Sequence, residues 1–219
     1  LLTCSVKDGR GGLWLGSSGD LLHLDPGETP TLPDDDVWRV TLDNLVTVNQ
    51  ISVDADGTVW LAVSGGLTAL DPGEDLSSSE DDRALTYVID GGVNSFFLNG
   101  TDGIYFSNGA ASTFHYLNHG RTPFAPSDDH YVEFNAQDGI DTISIREFTG
   151  MRDGSLLLEG GGIVIRFFDA GTPLDKSDDT YVAHTQNDGV PGFSLYFVDV
   201  DEGGGVWVSG DRGMACWDD

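Results

Sequence analysis

Carboxylates dominate the side chains of this 219-residue chain that could do chemistry, and they recur at regular places. Asp54, Asp56 and Gly57 stand just before an apolar run, and Asp199, Asp201 and Glu202 stand before another. Oxygen-rich turns suit calcium, which takes about six to eight oxygen ligands. Neither stretch has the later glutamate of an EF-hand loop, so solvated turn carboxylates are the expected role, with Ca2+ the one cofactor kept in view. Further acidic groups follow at Asp34–Asp36, Glu80–Asp82, Asp128–Asp129 and Asp178–Asp179. They suit either a ring of cation ligands or a hydrated surface. His23, His115, His119, His130 and His184 show no dense metal-ligand spacing. The glycine runs at 160–162 and 203–205 sit between strand-like segments rather than before helices, so they are no phosphate loops. No Ser-His-Asp arrangement stands out, and a carboxylate pair for glycoside chemistry is uninformative among 37 acidic residues.

The charge balance removes whole classes of function. Only 10 basic residues oppose those 37 acids, for a net charge of -27. Phosphate contacts need basic patches, so nucleic acid is not a partner. An anionic bilayer surface repels such a chain, and no apolar stretch reaches the ~18 residues that span a membrane. Self-repulsion of this size is tolerated when salt screens it, which predicts a high-salt environment. The chain begins without Met or a signal peptide, and it is expected to be mature or excised from something longer. Cys4 and Cys216 lie near opposite ends. They are expected to be small buried residues on strands, or a disulfide if the ends meet.

The elements that position these residues repeat. "DGRGGLWLGSSGDLLHLDPG" (8–27) matches "DADGTVWLAVSGGLTALDPG" (54–73) almost position for position. Looser copies begin at 101, 152 and 202. Anchored on Trp14, Trp60, Tyr105, Leu157 and Trp207, the steps are 46, 45, 52 and 50 residues. Strand repeats of roughly 40–50 residues indicate propeller blades. Within a unit, a first strand such as 49–53 or 194–200 leads through an Asp/Gly turn into a doubly apolar second strand such as 58–63. Gly65 and Gly66 suit a tight hairpin, and 67–71 is the third strand. Fourth strands are expected at 37–42, 84–89, 130–134 and 180–184. The fold class is therefore all-β, a β-propeller of five four-stranded blades over about 1–45, 46–92, 93–141, 142–191 and 192–219. The last blade lacks its fourth strand, so the chain is either a complete ring or an arc of a larger one.

Ser52, Asp54, Gly57 and Trp60 resemble the Asp-box turn of sialidase-like propellers, with one residue too many. More closely, the units resemble the two-component regulator propeller repeat: an Asp-Gly turn, a Trp-containing strand, glycines and a Gly-Leu…Asp-Pro segment in order. "DADGTVWLAVSGGLTALDPG" fits that pattern, and "DGGVN" (90–94), "DGID" (138–141) and "DGVPG" (188–192) resemble its Asp-Gly-Leu…Asn connection. Units three and four lack the Trp and fit by spacing and glycines. The resemblance implies a sensor propeller outside the cytoplasmic membrane, fused to further signalling parts.

The leading functional expectation is a non-enzymatic module that binds a small molecule, a carbohydrate or a protein partner. Asn49, Asn94, Asp138, Asp141 and Asp188 lead into the innermost strands and are the candidate ligand contacts. Short polar side chains at such places also cap turns. The alternatives are a propeller lyase or glycoside hydrolase, for which an Arg, His and Glu cluster at the channel mouth would speak, and a structural segment of a larger secreted protein.

Overall fold

The computed structural model describes residues 1–27, 33–109, 113–140 and 144–217. Among these, every extended segment belongs to one of five antiparallel sheets. The first sheet holds β1 (Leu2–Lys7), β2 (Leu13–Ser17), β3 (Leu21–Asp25) and β4 (Val37–Leu42), and the second holds β5 (Val48–Val53), β6 (Val59–Val63), β7 (Gly66–Asp71) and β8 (Arg83–Val88). The third holds β9 (Val93–Asn99), β10 (Gly103–Asn108), β11 (Phe114–Asn118) and β12 (His130–Phe134). β13 (Glu147–Gly150), β14 (Leu156–Gly160), β15 (Ile163–Phe168) and β16 (Thr180–His184) make the fourth. β17 (Leu195–Val200), β18 (Val206–Gly210) and β19 (Gly213–Trp217) make a three-stranded fifth. Strands neighbour in chain order throughout, which is the meander of a propeller blade.

Burial follows position in the meander. The second strands are the most enclosed: every residue of β6 and of β14 is buried. That is why these segments are apolar on both faces and lack the alternation of a half-exposed strand. The fourth strands β4 and β16 are largely exposed. Gly66 shows why the hairpin between β6 and β7 needs glycine: its φ is +143°, and a Cβ there would run into the Tyr87 carbonyl.

The chain divides into two compact units. The first comprises Leu1–Asn94, Gly100–Asp102 and His119–Asp128. In it Trp14, Val48, Ile51, Val59 and Leu61 form a core in which the first two sheets pack together. The second comprises Ser95–Asn99, Gly103–Asn118 and Asp129–Asp219. It holds an aromatic core, where Phe114 and Phe134 stack at 4.5 Å with Phe167 edge-on to both, and an aliphatic one of Leu157, Val164, Val198 and Val208.

Trp207 holds the second-strand place of Trp14 and Trp60, yet it is 38% exposed where they are buried, because among the described residues nothing covers that indole's face of the fifth sheet. One expectation is corrected. Cys216 is likewise exposed on β19, and Cys4 is half-buried on β1; neither is in a disulfide.

Candidate functional site

The turn between first and second strands explains the conspicuous carboxylates. Asp54 Oδ1 accepts the N–H groups of Asp56 (3.0 Å) and Thr58 (2.9 Å), while Oδ2 accepts Trp60 Nε1–H at 3.0 Å. Asp201 repeats the arrangement with Gly203, Gly205 and Trp207, at 2.7, 2.9 and 2.8 Å. In the first repeat Asp8 takes the N–H groups of Arg10 and Gly12, and His23 Nε2 lies 2.8 Å from its second oxygen. In the fourth, Asp153 accepts the Ser155 N–H and Arg166 Nη2–H. One oxygen therefore shapes the turn and the other ties it to a side chain on the hairpin. The Trp207 hydrogen bond, with the turn amides, holds the Asp201 carboxyl below its ordinary range. For Asp8, burial pulls upward but His23 and the turn amides outweigh it.

The acidic groups before the fourth strands latch their own loops. Thr122 Oγ1–H donates to Asp128 at 2.9 Å, and Thr172 Oγ1–H reaches both oxygens of Asp178. Asp81 Oδ2 accepts the Glu74 N–H at 3.0 Å. Asp179 behaves differently: burial, with Asp178, Asp169, Asp138 and Asp175 nearby, pushes its carboxyl up to about 6. Among the described residues, no group of three or more His, Cys, Asp or Glu is placed to hold a metal ion.

The five candidate ligand contacts have distinct settings. Asn49 occupies a β-bulge in β5, the extra residue between Val48 and Gln50, and its Nδ2–H donates to the Val93 carbonyl at 2.8 Å. Thr3 occupies the same place in β1 and donates to the Val48 carbonyl. A bulged side chain thus laces one repeat to the next. Asn94 is exposed on β9. Asp138 closes a capping box with Asn135 and takes a 2.8 Å ion pair from Lys176. Burial raises its carboxyl, and Lys176 with the Asn135 amide brings it below normal. Asp188 closes an equivalent box with Thr185, whose backbone N–H lowers its carboxyl. Gly139 and Gly189 follow in left-handed conformation, so "NAQDG" and "TQNDG" are one motif used twice. Asp141 lies outside the described residues.

The sequence reading missed one cluster, in the second unit. Glu147 and Glu159 stand directly opposite each other on β13 and β14. Glu159 is 2% exposed and its Oε1 has no hydrogen-bond partner; Arg146 Nη2 lies 4.0 Å from it. Glu147 Oε2 accepts the Val198 N–H of β17 at 3.2 Å. Burial pushes both carboxyls up; Glu147 adds to the shift of Glu159 and Arg146 opposes it, while Asp199 adds to that of Glu147. The visible signal was a lone glutamate inside the run "SLLLEG".

The fold and these settings define an all-β repeat module. No protein-family model matches the sequence, and no curated protein matches it. Solved structures do. The chain is similar to the extracellular domain of a protein assigned as a hybrid two-component system from B. thetaiotaomicron, at TM-score 0.73 and 18% identity over 99% of this chain and 27% of that one. It is similar to PorZ, a surface component of the type-IX secretion system of Porphyromonas gingivalis, at 0.73 and 12% over 99% of this chain and 32% of that one. It also resembles virginiamycin B lyase from Staphylococcus aureus, at 0.65 and 10% over 99% and 69%. The chain spans about a third or less of the first two. At such identities the likeness is one of fold. Among the described residues no helix is long and apolar enough to cross a membrane.

Proposed function

We propose that the chain is a sector of a β-propeller serving as a non-enzymatic binding module, of the kind found in extracytoplasmic sensor proteins of the two-component type. The observation that carries this reading is how the polar residues divide. Within each unit, the carboxylates of the turns between first and second strands, Asp54 in one and Asp201 in the other, are spent on holding the fold. At the connections between sheets, Asn94 is exposed in the first unit, and in the second Asp138 and Asp188 are fixed by their own backbone in a repeated motif. Short polar groups held in place by their own backbone, beside an exposed asparagine, suit recognition of a hydroxyl-rich small molecule, a carbohydrate or a protein loop, with no cofactor. Likeness to extracellular domains supports the location, and the short span of those domains supports fusion to further parts.

The test is a thermal-shift screen of neutral and acidic sugars against the wild type, Asn94→Ala and Asp188→Ala. A ligand that raises the melting temperature of the wild type and loses that effect in either variant supports the module and assigns the contact to that residue's unit. Equal shifts in all three would remove both residues from ligand binding.

A second reading, a lyase or glycoside hydrolase, is favoured by Arg146 beside the Glu147–Glu159 pair. Turnover of a glycoside or lactone that is lost in Glu159→Gln would establish it over the first.

A further inference from the structure

Ten basic residues serve a chain with 37 acids, and their partners divide them. Arg39, Arg146, Arg166 and Lys176 each face a carboxylate. Lys7, Arg10 and Arg152 make no ion pair among the described residues. Lys7 is exposed at the end of β1. Arg10 Nη1–H donates to the Glu74 carbonyl at 3.3 Å, and Arg152 Nη2–H donates to the Glu202 carbonyl. A neutral carbonyl thus holds each arginine and leaves its charge unmatched.

These three side chains line two clefts of the same construction, one inside each unit. In the first unit a cleft of about 350 Å³ lies between the turns that follow β1 and β5, bounded by Lys7 and Arg10 from one turn and by Val53 and Gly57 from the other. In the second unit a cleft of about 340 Å³ lies between the turns that follow β13 and β17, bounded by Arg152 from one and by Val200 and Gly204 from the other. The places correspond. Lys7 and Arg152 each precede the aspartate of their turn, Val53 and Val200 each precede that of the next, and Gly57 and Gly204 each follow it by three residues. Both glycines have positive φ, +89° and +93°, and a Cβ on either would meet no atom within 4 Å, so the backbone there is open to a ligand. Clefts of this size suit small molecules. Asp8, Asp54 and Asp153 stand in the walls, but both oxygens of each already have partners within the chain.

A net charge of -27, with Asp56 and Glu202 exposed on the same turns, weighs against any ligand of more than one negative charge. A single carboxylate matches a single unpaired cation, and ammonium and guanidinium groups both hold it through charge-assisted hydrogen bonds. We propose that each cleft binds one carboxylate group of a small ligand, held by Lys7 and Arg10 in the first unit and by Arg152 in the second. The inference goes beyond the proposed function. It uses none of Asn94, Asp138 and Asp188, so a screen indifferent to those residues leaves it standing.

The probes are galacturonate, acetate and galactose, added to the isotope-labelled chain while its amide resonances are followed. Galacturonate should shift the Gly57 and Gly204 amides saturably, and galactose at the same concentration should not. Acetate that saturates both as readily as galacturonate assigns the clefts to simple organic acids, and weaker acetate assigns them to acidic sugars. Lys7→Met should weaken binding at Gly57 about 2–5-fold, the value of one exposed ion pair, and leave Gly204 unchanged. Arg152→Met should do the reverse, so each cleft controls for folding in the other. No saturable shift with galacturonate or acetate at ~0.1 M, where a millimolar site is filled, would overturn the proposal. Equal shifts by galactose would overturn it too, as would a Lys7→Met chain that keeps both its spectrum and its affinity at Gly57.

Discussion

The indole of Trp60 and the carboxylate of Asp54 are joined at 3.0 Å, and the other Asp54 oxygen takes two turn amides, of Asp56 and Thr58, just before β6. In the most conspicuous motif, both oxygens of the turn aspartate accept N–H donors from their own chain. Asp54→Ala leaves all three donors without their acceptor, the indole among them enclosed with its ring. Loss of such bonds costs about 1–3 kcal/mol per enclosed group. Urea melts should show Asp54→Ala destabilised in that range, with the neighbouring exposed Asp56→Ala within about 0.5 kcal/mol of wild type.

The two tryptophans separate packing from hydrogen bonding. Both donate to a turn aspartate, but Trp60 is enclosed and Trp207 is not. Trp60→Ala should cost about 3–5 kcal/mol, as large-to-small changes in cores do. Trp207→Ala should cost clearly less, because much of its ring is already in water. Equal losses in chemical denaturation would mean that the fifth sheet is covered in solution.

Much of the fold was legible because each repeat is written in short-range signals. Asp and Gly mark the turn, a doubly apolar run marks the central strand, and Gly66 marks the hairpin; each acts within a few residues. Strand ends fell within about two residues of their places for the same reason. What a residue contacts in the next repeat was not legible. Asn49 is aimed at Val93 by a bulge, and a bulge leaves no period in the sequence. Trp207 reads like Trp60, since exposure depends on what packs over the ring and not on the strand that carries it. Glu159 drew no notice among so many acids, although its place in a buried strand makes it unlike the rest.

Salt should stabilise the protein. A net charge of -27 repels itself over the Debye length, which shrinks from over ~10 Å at low ionic strength to under ~3 Å at molar salt. The melting temperature is expected to rise between ~0.05 M and ~3 M KCl, most steeply at the low end where exposed charges are being screened. A flat or falling profile would reject the high-salt adaptation inferred from composition.

Glu159 and Glu147 make a prediction of definite sign. Burial lifts both carboxyls above the unfolded value near 4.3, so the folded state holds protons that the unfolded state releases. The associated stability is complete below the unfolded value and is lost as pH rises through the folded ones. Asp179, pushed up to about 6, acts in the same direction between the unfolded value and that pH. Asp8, Asp153, Asp188 and Asp201 are lowered and act oppositely, losing their contribution as pH falls through their folded values. Total stability therefore mixes the two, and the difference between variant and wild type isolates each group. Glu159→Gln keeps the shape and stays neutral. It should match the wild type near pH 4, where the native carboxyl is also neutral, and gain on it progressively toward neutral pH. Asp179→Asn should gain likewise up to about pH 6 and then level off. Melting temperatures of the three proteins from pH 4 to 8 would check this, and a Glu159→Gln difference that stays flat with pH would mean that Arg146 already compensates the buried charge.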